Sequence, residues 1–172
     1  MQSLITSKTR IKLLIKFFLN SSTKGYLRGL SKEFDESTNG IRKELNSLTK
    51  AGYLRVTKND SNKKLYTANK KHPLYDILHQ IVIKELGLDH IVASVLDRMG
   101  GVKRIIVIGD YANGLDSGVI DVVVEGEALN TDYIGTLSDK MKQKINRSVR
   151  FLLCANYQEK GLELYNASKD GK

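Results

Sequence analysis

Cysteine and proline each occur once in this 172-residue sequence, and no long apolar run is present. A single cysteine, Cys154, excludes an internal disulfide framework and a thiolate-rich metal site. In the apolar stretch Phe151 to Ala155 it is expected to be a small buried hydrophobe. His72, His79 and His90 stand too far apart to form a local ligand set, so neither a metal nor a cofactor is expected. No apolar stretch approaches the roughly 20 residues that cross a bilayer. Met1 to Ile15 already carries Lys8, Arg10 and Lys12 inside a helical pattern, unlike a signal peptide. A cytoplasmic protein with no membrane partner is the expectation.

With 41% hydrophobic and 27% charged residues, the composition suits a folded chain with a core. The net charge of +9 is divided unevenly. Residues 1–72 hold 16 Lys and Arg against 5 Asp and Glu, a net of +11, whereas residues 73–172 hold 12 against 14, a net of −2. Concentrated positive charge gains affinity for a polyanion by releasing condensed counterions, which points to nucleic acid. A membrane surface would call for one continuous basic amphipathic helix, and here the charge is spread over several elements.

Along the first part, Ile11, Leu14, Ile15, Phe18 and Leu19 repeat at helical offsets and predict a helix over Ser7 to Leu19. After the polar break Asn20 to Thr23, Leu27, Leu30 and Phe34 predict a short helix over Gly25 to Phe34. Ser37 is placed to cap a third helix, ended by Ala51-Gly52. At about 100° per residue, Ile41, Leu45 and Leu48 fall within an arc of about 60°. Thr38, Asn39, Arg42, Lys43, Asn46 and Lys50 occupy a separate arc of about 140°. Asn pairs bidentately with adenine and Arg with guanine, so this outer arc has the chemistry of a major-groove reading face, although many solvated helix faces share that composition.

The segment Tyr53 to Ala68 alternates as a strand, breaks at Asn59-Asp60-Ser61-Asn62 and returns through Leu65 and Tyr66, as a hairpin does. Lys58, Lys63 and Lys64 flank its turn and are placed to meet phosphates. Three short helices followed by a basic hairpin is the order of a winged helix-turn-helix. The stretch Ser7 to Ala68, with Tyr26-Leu27-Arg28-Gly29-Leu30 and the Glu44-Leu45-Asn46-Ser47-Leu48 to Gly52-Tyr53-Leu54 junction, resembles the arsenic-repressor-like winged-helix regulators. The resemblance implies double-stranded DNA as partner, transcription regulation and a two-fold homodimer on paired half-sites. The metal sensing common in that family lacks its cysteine, histidine and carboxylate clusters here.

Pro73 opens a helical linker over residues 73–100, with the stripes Leu74, Ile77, Leu78, Ile81, Val82 and Leu88, Ile91, Val92, Val95, Leu96, Met99, suited to dimerisation. Residues 101–172 then read as a small α/β domain: strand Val102 to Ile108, a loop from Gly109 to Gly118, strand Val119 to Val124, helix Thr131 to Ile145 and strand Ser148 to Cys154. The tail Tyr157 to Lys172 has weak patterning apart from Leu162 and Leu164 and is expected to be partly disordered or to pack late. The whole is α+β: a winged helix-turn-helix over residues 1–72, the helical linker, and the C-terminal α/β domain.

That last domain resembles the minimal nucleotidyltransferase fold. Gly109, Ala112 and Gly114 match its glycine turn, and Asp121 matches the second aspartate of its Asp-x-Asp pair. In that family the turn holds nucleotide phosphates while carboxylates bind two magnesium ions. Here Asp110 replaces the serine, Val119 stands where the first aspartate belongs, and Arg150 occupies the third carboxylate position. The resemblance therefore implies a scaffold without transferase activity and with no catalytic residues. Gly109, Asp110, Gly114 and Asp121 are candidate contacts for a small-molecule or nucleotide ligand, and Asp116 offers an alternative carboxylate in a shifted register. Two other functions stay open: an active nucleotidyltransferase guided by the winged helix, and an adaptor whose winged helix binds protein rather than DNA.

Overall fold

The computed structural model describes residues 7–58, 62–145 and 147–170. Asn59, Asp60 and Ser61 of the expected hairpin turn lie outside the described residues. Two compact units, Met1–Val82 and Ile83–Lys172, divide inside the helix Tyr75–Leu86, beyond the boundary expected at Pro73.

In the first unit, α1 (Lys8–Leu14) begins where the Ser7 side chain accepts the Arg10 backbone N–H at 3.2 Å, an N-cap. The helix continues as a π-helical turn over Ile15–Leu19, whose residues are all buried. Widening the turn breaks the ordinary hydrogen-bond ladder, and side chains serve the carbonyls. The Thr23 hydroxyl donates to Lys16 O, and His79 Nδ1 lies 2.6 Å from Phe18 O. A carbonyl only accepts, so Nδ1 carries the hydrogen.

Where a helix is expected from Gly25, the chain instead forms a strand, β1 (Lys24–Tyr26), before α2 (Leu27–Phe34). Gly25 explains the difference, because a Cβ there would lie 2.9 Å from both terminal carbons of Leu30. Only a residue without a side chain lets β1 lie so close to α2. Asp35, with φ of 52°, ends α2 in the left-handed conformation.

Helix α3 (Thr38–Lys50) starts on Ser37, whose hydroxyl accepts Gly40 N–H at 3.2 Å, and buries Ile41, Leu45 and Leu48 as the spacing predicts. Strands β2 (Leu54–Lys58) and β3 (Lys64–Ala68) form the hairpin, and β1 joins it in a three-stranded antiparallel sheet of order β1-β3-β2. The sequence α1-β1-α2-α3-β2-β3 is the element order of a winged helix-turn-helix. The next element is α4 (Tyr75–Leu86), whose Tyr75 ring sits 5.7 Å from that of Phe18.

The second unit holds α5 (Leu88–Arg98), β4 (Gly101–Ile108), the single turn α6 (Gly109–Ala112), β5 (Val119–Glu127), α7 (Tyr133–Ile145) and β6 (Ser148–Cys154). In the tail expected to be weakly ordered, Leu162–Asn166 forms a further strand, β7, antiparallel to β4, followed by α8 (Ala167–Asp170). The pairing supplies the backbone partners that the short apolar alternation alone could not specify. Sheet order is β6-β5-β4-β7, with β5 and β6 parallel and joined through α7. Ile105, Val107, Ile120, Val122 and Val124 are buried in this unit, as are Leu88, Ile91 and Val95 of α5 and Leu137 and Met141 of α7. Cys154, expected to be buried, is only half-buried near the end of an outer strand.

Candidate nucleic-acid interface

On α3, Asn39, Arg42, Lys43 and Asn46 are exposed and Thr38 is half-buried, opposite the buried Ile41, Leu45 and Leu48. The Asn39 side-chain oxygen accepts a bond from Arg42 Nη1 at 3.2 Å. That contact restrains two long polar side chains one turn apart and leaves the Asn39 amide hydrogens and the rest of the Arg42 fork to donate.

The hairpin register places Lys58 opposite Lys64, and Val56 opposite Tyr66. Side chains two residues apart share a sheet face, so Lys58 and Lys64 lie on the same face as buried Leu54, Tyr66 and Ala68, one step nearer the turn. Burial raises the Tyr66 hydroxyl above its ordinary value, and the Arg42 charge opposes that shift. Lys63 is exposed beside Asn62, whose φ is 56°.

The acidic residues of this unit decide which cations are neutralised. Glu44 accepts from Arg10 Nε at 2.7 Å and from the Ser7 hydroxyl at 2.7 Å. Glu36 takes Lys12 at 2.8 Å together with the Thr9 hydroxyl, and Glu33 takes Lys16 at 2.6 Å. Burial pushes the Glu36 carboxyl up, but bonds from Lys12 and Thr9 outweigh it and hold the group below its ordinary value. These contacts consume carboxylates to fasten α1 onto α2 and α3. The basic residues of α1, prominent in the sequence count, therefore contribute little uncompensated charge. Within the three strands β1, β2 and β3 there is no acidic residue, while Lys24, Arg55, Lys58 and Lys64 are all exposed.

In the second unit, two of the four candidate ligand-binding residues come together. Gly109 has φ of +66°, and a Cβ on it would lie 3.3 Å from Asp121 Oδ2, so the turn and Asp121 do meet. Asp110 is exposed on α6, whereas Gly114 is buried, with φ of +74°. Asp121 is engaged by Arg150, its cross-strand partner, through Nε–Oδ1 at 2.6 Å and Nη2–Oδ2 at 2.9 Å. Those bonds and the adjacent carboxylate raise the Arg150 guanidinium further above its ordinary value.

Asp116 is held as well. Arg147 donates to it through Nε at 3.1 Å and Nη2 at 2.7 Å, and the buried Tyr111 hydroxyl donates to Oδ1 while accepting Gly118 N–H at 3.2 Å. Burial works to raise the Asp116 carboxyl, yet Arg147 and Tyr111 together keep it below the ordinary value of 3.8. Burial, then the bond to Asp116, pushes the Tyr111 hydroxyl far up. Sequence reasoning missed Tyr111 and Arg147; the available signal was a large aromatic ring inside an otherwise polar glycine loop. Among the described residues, no three His, Cys, Asp or Glu side chains gather as a metal-holding group, and no helix is long and apolar enough to cross a membrane.

Neither a family model nor a curated protein matches this sequence. Among solved structures, the chain is similar to the YusO protein from Bacillus subtilis, with 13% identity over 53% of this chain and 61% of that one and a TM-score of 0.39. It is similar also to the adhesin competence repressor AdcR from Streptococcus pyogenes, with 17% identity, coverage of 56% and 72%, and a TM-score of 0.39. The transcriptional regulator BldR from Sulfolobus solfataricus gives 12% identity, coverage of 58% and 68%, and a TM-score of 0.38. The chain spans 61% of the length of the first of these.

Proposed function

We propose that the protein is a regulator of transcription that binds double-stranded DNA, with α3 reading the major groove and the β2–β3 hairpin gripping the flanking phosphates. The observation that carries this reading is that Asn39, Arg42, Lys43 and Asn46 share the exposed side of a well-capped helix, in a unit whose three strands carry exposed cations and no acidic residue. Thr38 borders the same face, and Lys58, Lys63 and Lys64 serve as phosphate contacts. As a two-fold homodimer the chain would present two such helices to paired half-sites.

Selection of bound duplexes from a random pool tests the reading, with symmetric enriched sites expected. On the selected site, Arg42→Ala should lose on the order of 1 to 3 kcal/mol of discrimination against random duplex, the worth of one base-edge contact. Equal loss on both duplexes would remove Arg42 from the reading face. A partner-binding adaptor would instead bind without a steep salt dependence.

The second unit, on this reading, is a nucleotidyltransferase-like scaffold that serves dimerisation or ligand sensing without transferring nucleotides. Supporting it, Asp121 has both oxygens bound by Arg150, and Asp116 is taken by Arg147 and Tyr111. The contact between the Gly109 turn and Asp121 favours the competing reading, an active transferase. Incubation with magnesium or manganese and labelled nucleotides separates the two: transfer abolished by Asp121→Ala would establish the enzyme.

A further inference from the structure

The outer face of the three-stranded sheet has no part in the duplex contact described above, and its register gathers a different set of groups. Pairing of Lys24 with Thr67 and of Thr67 with Arg55 puts these three in one row. Pairing of Tyr26 with Leu65 and of Leu65 with Thr57 makes the next row, on the same face. Lys24, Arg55, Thr57 and Tyr26 are exposed, with 38% of Tyr26 accessible, and Leu65 and Thr67 form a half-buried floor between the outer strands. Two strand spacings separate Lys24 from Arg55, about 9.6 Å. Gly25, pressed on Leu30, pins β1 by its other face, so this three-residue strand offers solvent only Lys24 and Tyr26.

We propose that this face, with Tyr26 as a stacking ring next to Lys24 on β1 and in the row beside the cations Lys24 and Arg55, binds a single-stranded nucleic-acid segment. Two positive groups at this spacing suit a phosphate backbone. The exposed ring selects the strand state, because bases inside a duplex are stacked on each other and offer no free face, whereas an unpaired base stacks on an aromatic ring or a guanidinium plane. The face is directed away from the hairpin side that carries Lys58 and Lys64, so the two contacts are separable by mutation.

The full chain would be titrated by fluorescence anisotropy with a 15-nucleotide oligothymidylate and with a hairpin duplex, over a range of salt. Oligothymidylate binding should weaken roughly five-fold or more in Tyr26→Ala, and less than about two-fold in Tyr26→Phe, which keeps the ring. The Lys24→Ala/Arg55→Ala pair should lower the slope of log affinity against log salt by about 1.4, at about 0.7 for each phosphate no longer neutralised. Arg42→Ala should leave oligothymidylate binding unchanged while weakening duplex binding, so failure here and failure of the α3 reading give different patterns. The proposal is overturned if the wild-type chain ignores oligothymidylate in dilute buffer, or binds anionic vesicles instead. It is also overturned if the Lys24→Ala/Arg55→Ala pair matches wild type, or if the variants lose duplex and single strand equally. The cation pair, on exposed side chains, keeps the test decisive should Tyr26→Ala fail to fold.

Discussion

Replacing Arg147 by alanine should destabilise the second unit and raise the Asp116 carboxyl from its native value. Arg147 binds Asp116 through two bonds, of 3.1 and 2.7 Å, with the two side chains 19% and 28% exposed. Breaking one side of a fully buried pair costs about 3 to 5 kcal/mol. Exposed pairs are worth about 1 or less, so screening at this depth leaves roughly 2 kcal/mol. In the native protein the Asp116 carboxyl lies below 3.8, so its contribution is present at neutral pH and is lost as pH falls through the folded value. Without Arg147, only the bonds from Tyr111 and the Gly118 backbone still oppose burial, so the carboxyl should rise from its native value. Stability near neutral pH then suffers from an unpaired half-buried charge, and mild acid should recover part of the loss. Urea unfolding at pH 7 and pH 4.5, with carbon-detected titration of the carboxyl by NMR, reads both effects. Arg147→Lys keeps a charge but not the fork, so it should lose less. A variant within about 0.5 kcal/mol of wild type, with Asp116 titrating where it does in the native protein, would refute the reasoning.

Two further outcomes follow from local geometry. Gly87 has φ of +72°, and a Cβ would fall 2.3 Å from Ile145 Cγ2, whereas Gly118 has φ of +85° and open space around it. Gly118→Ala should therefore cost only the left-handed backbone, about 1 to 2 kcal/mol, and Gly87→Ala that plus overpacking of about 1 to 3; equal midpoints in urea would contradict this. Replacing Lys58, Lys63 and Lys64 together by alanine should lower the salt slope of duplex binding by up to about 2.7, at about 0.9 per phosphate, measured by anisotropy on selected and random duplexes. Selective loss on the preferred site would instead make these lysines base readers.

How legible each element was in the sequence depends on where its information resides. Helix α3 could be read because its cap and its buried residues lie within one segment, Ser37 to Leu48. Strand β1 could not, since Lys24-Gly25-Tyr26 carries no periodic signal and its identity comes from pairing with residues 65–67. Strand β7 left a trace in Leu162 and Leu164, but only β4 gives that alternation a partner. Of the candidate site, the sequence located the exposed α3 residues. It could not reveal that Arg150 faces Asp121, because that depends on the parallel register of β5 and β6. The Tyr111–Asp116–Arg147 cluster was equally hidden, joining α6 and the loop after it to the residue just before β6, with Asp116 and Arg147 31 positions apart.

Net charge alone would have made α1 part of the nucleic-acid surface, since Lys8, Arg10, Lys12 and Lys16 are as basic as any segment of the first unit. The ion pairs assign most of that charge elsewhere. Glu33, Glu36 and Glu44 each take a cation from α1 or the π-helical turn that continues it, binding it to the helices beneath. A unit that commits these carboxylates to its own packing leaves none of them to neutralise the α3 face or the strands. The same few acids thereby fasten the first helix and are not available to the exposed cations of α3 and the strands. Positive charge left unmatched in this way orients an approaching polyanion before any base is contacted. The second unit shows the opposite use of charge: Lys103, Arg104, Arg147 and Arg150 each meet a carboxylate. Charge holds structure together at those four positions, whereas the exposed cations on the strands of the first unit have no acidic residue within those strands to match them.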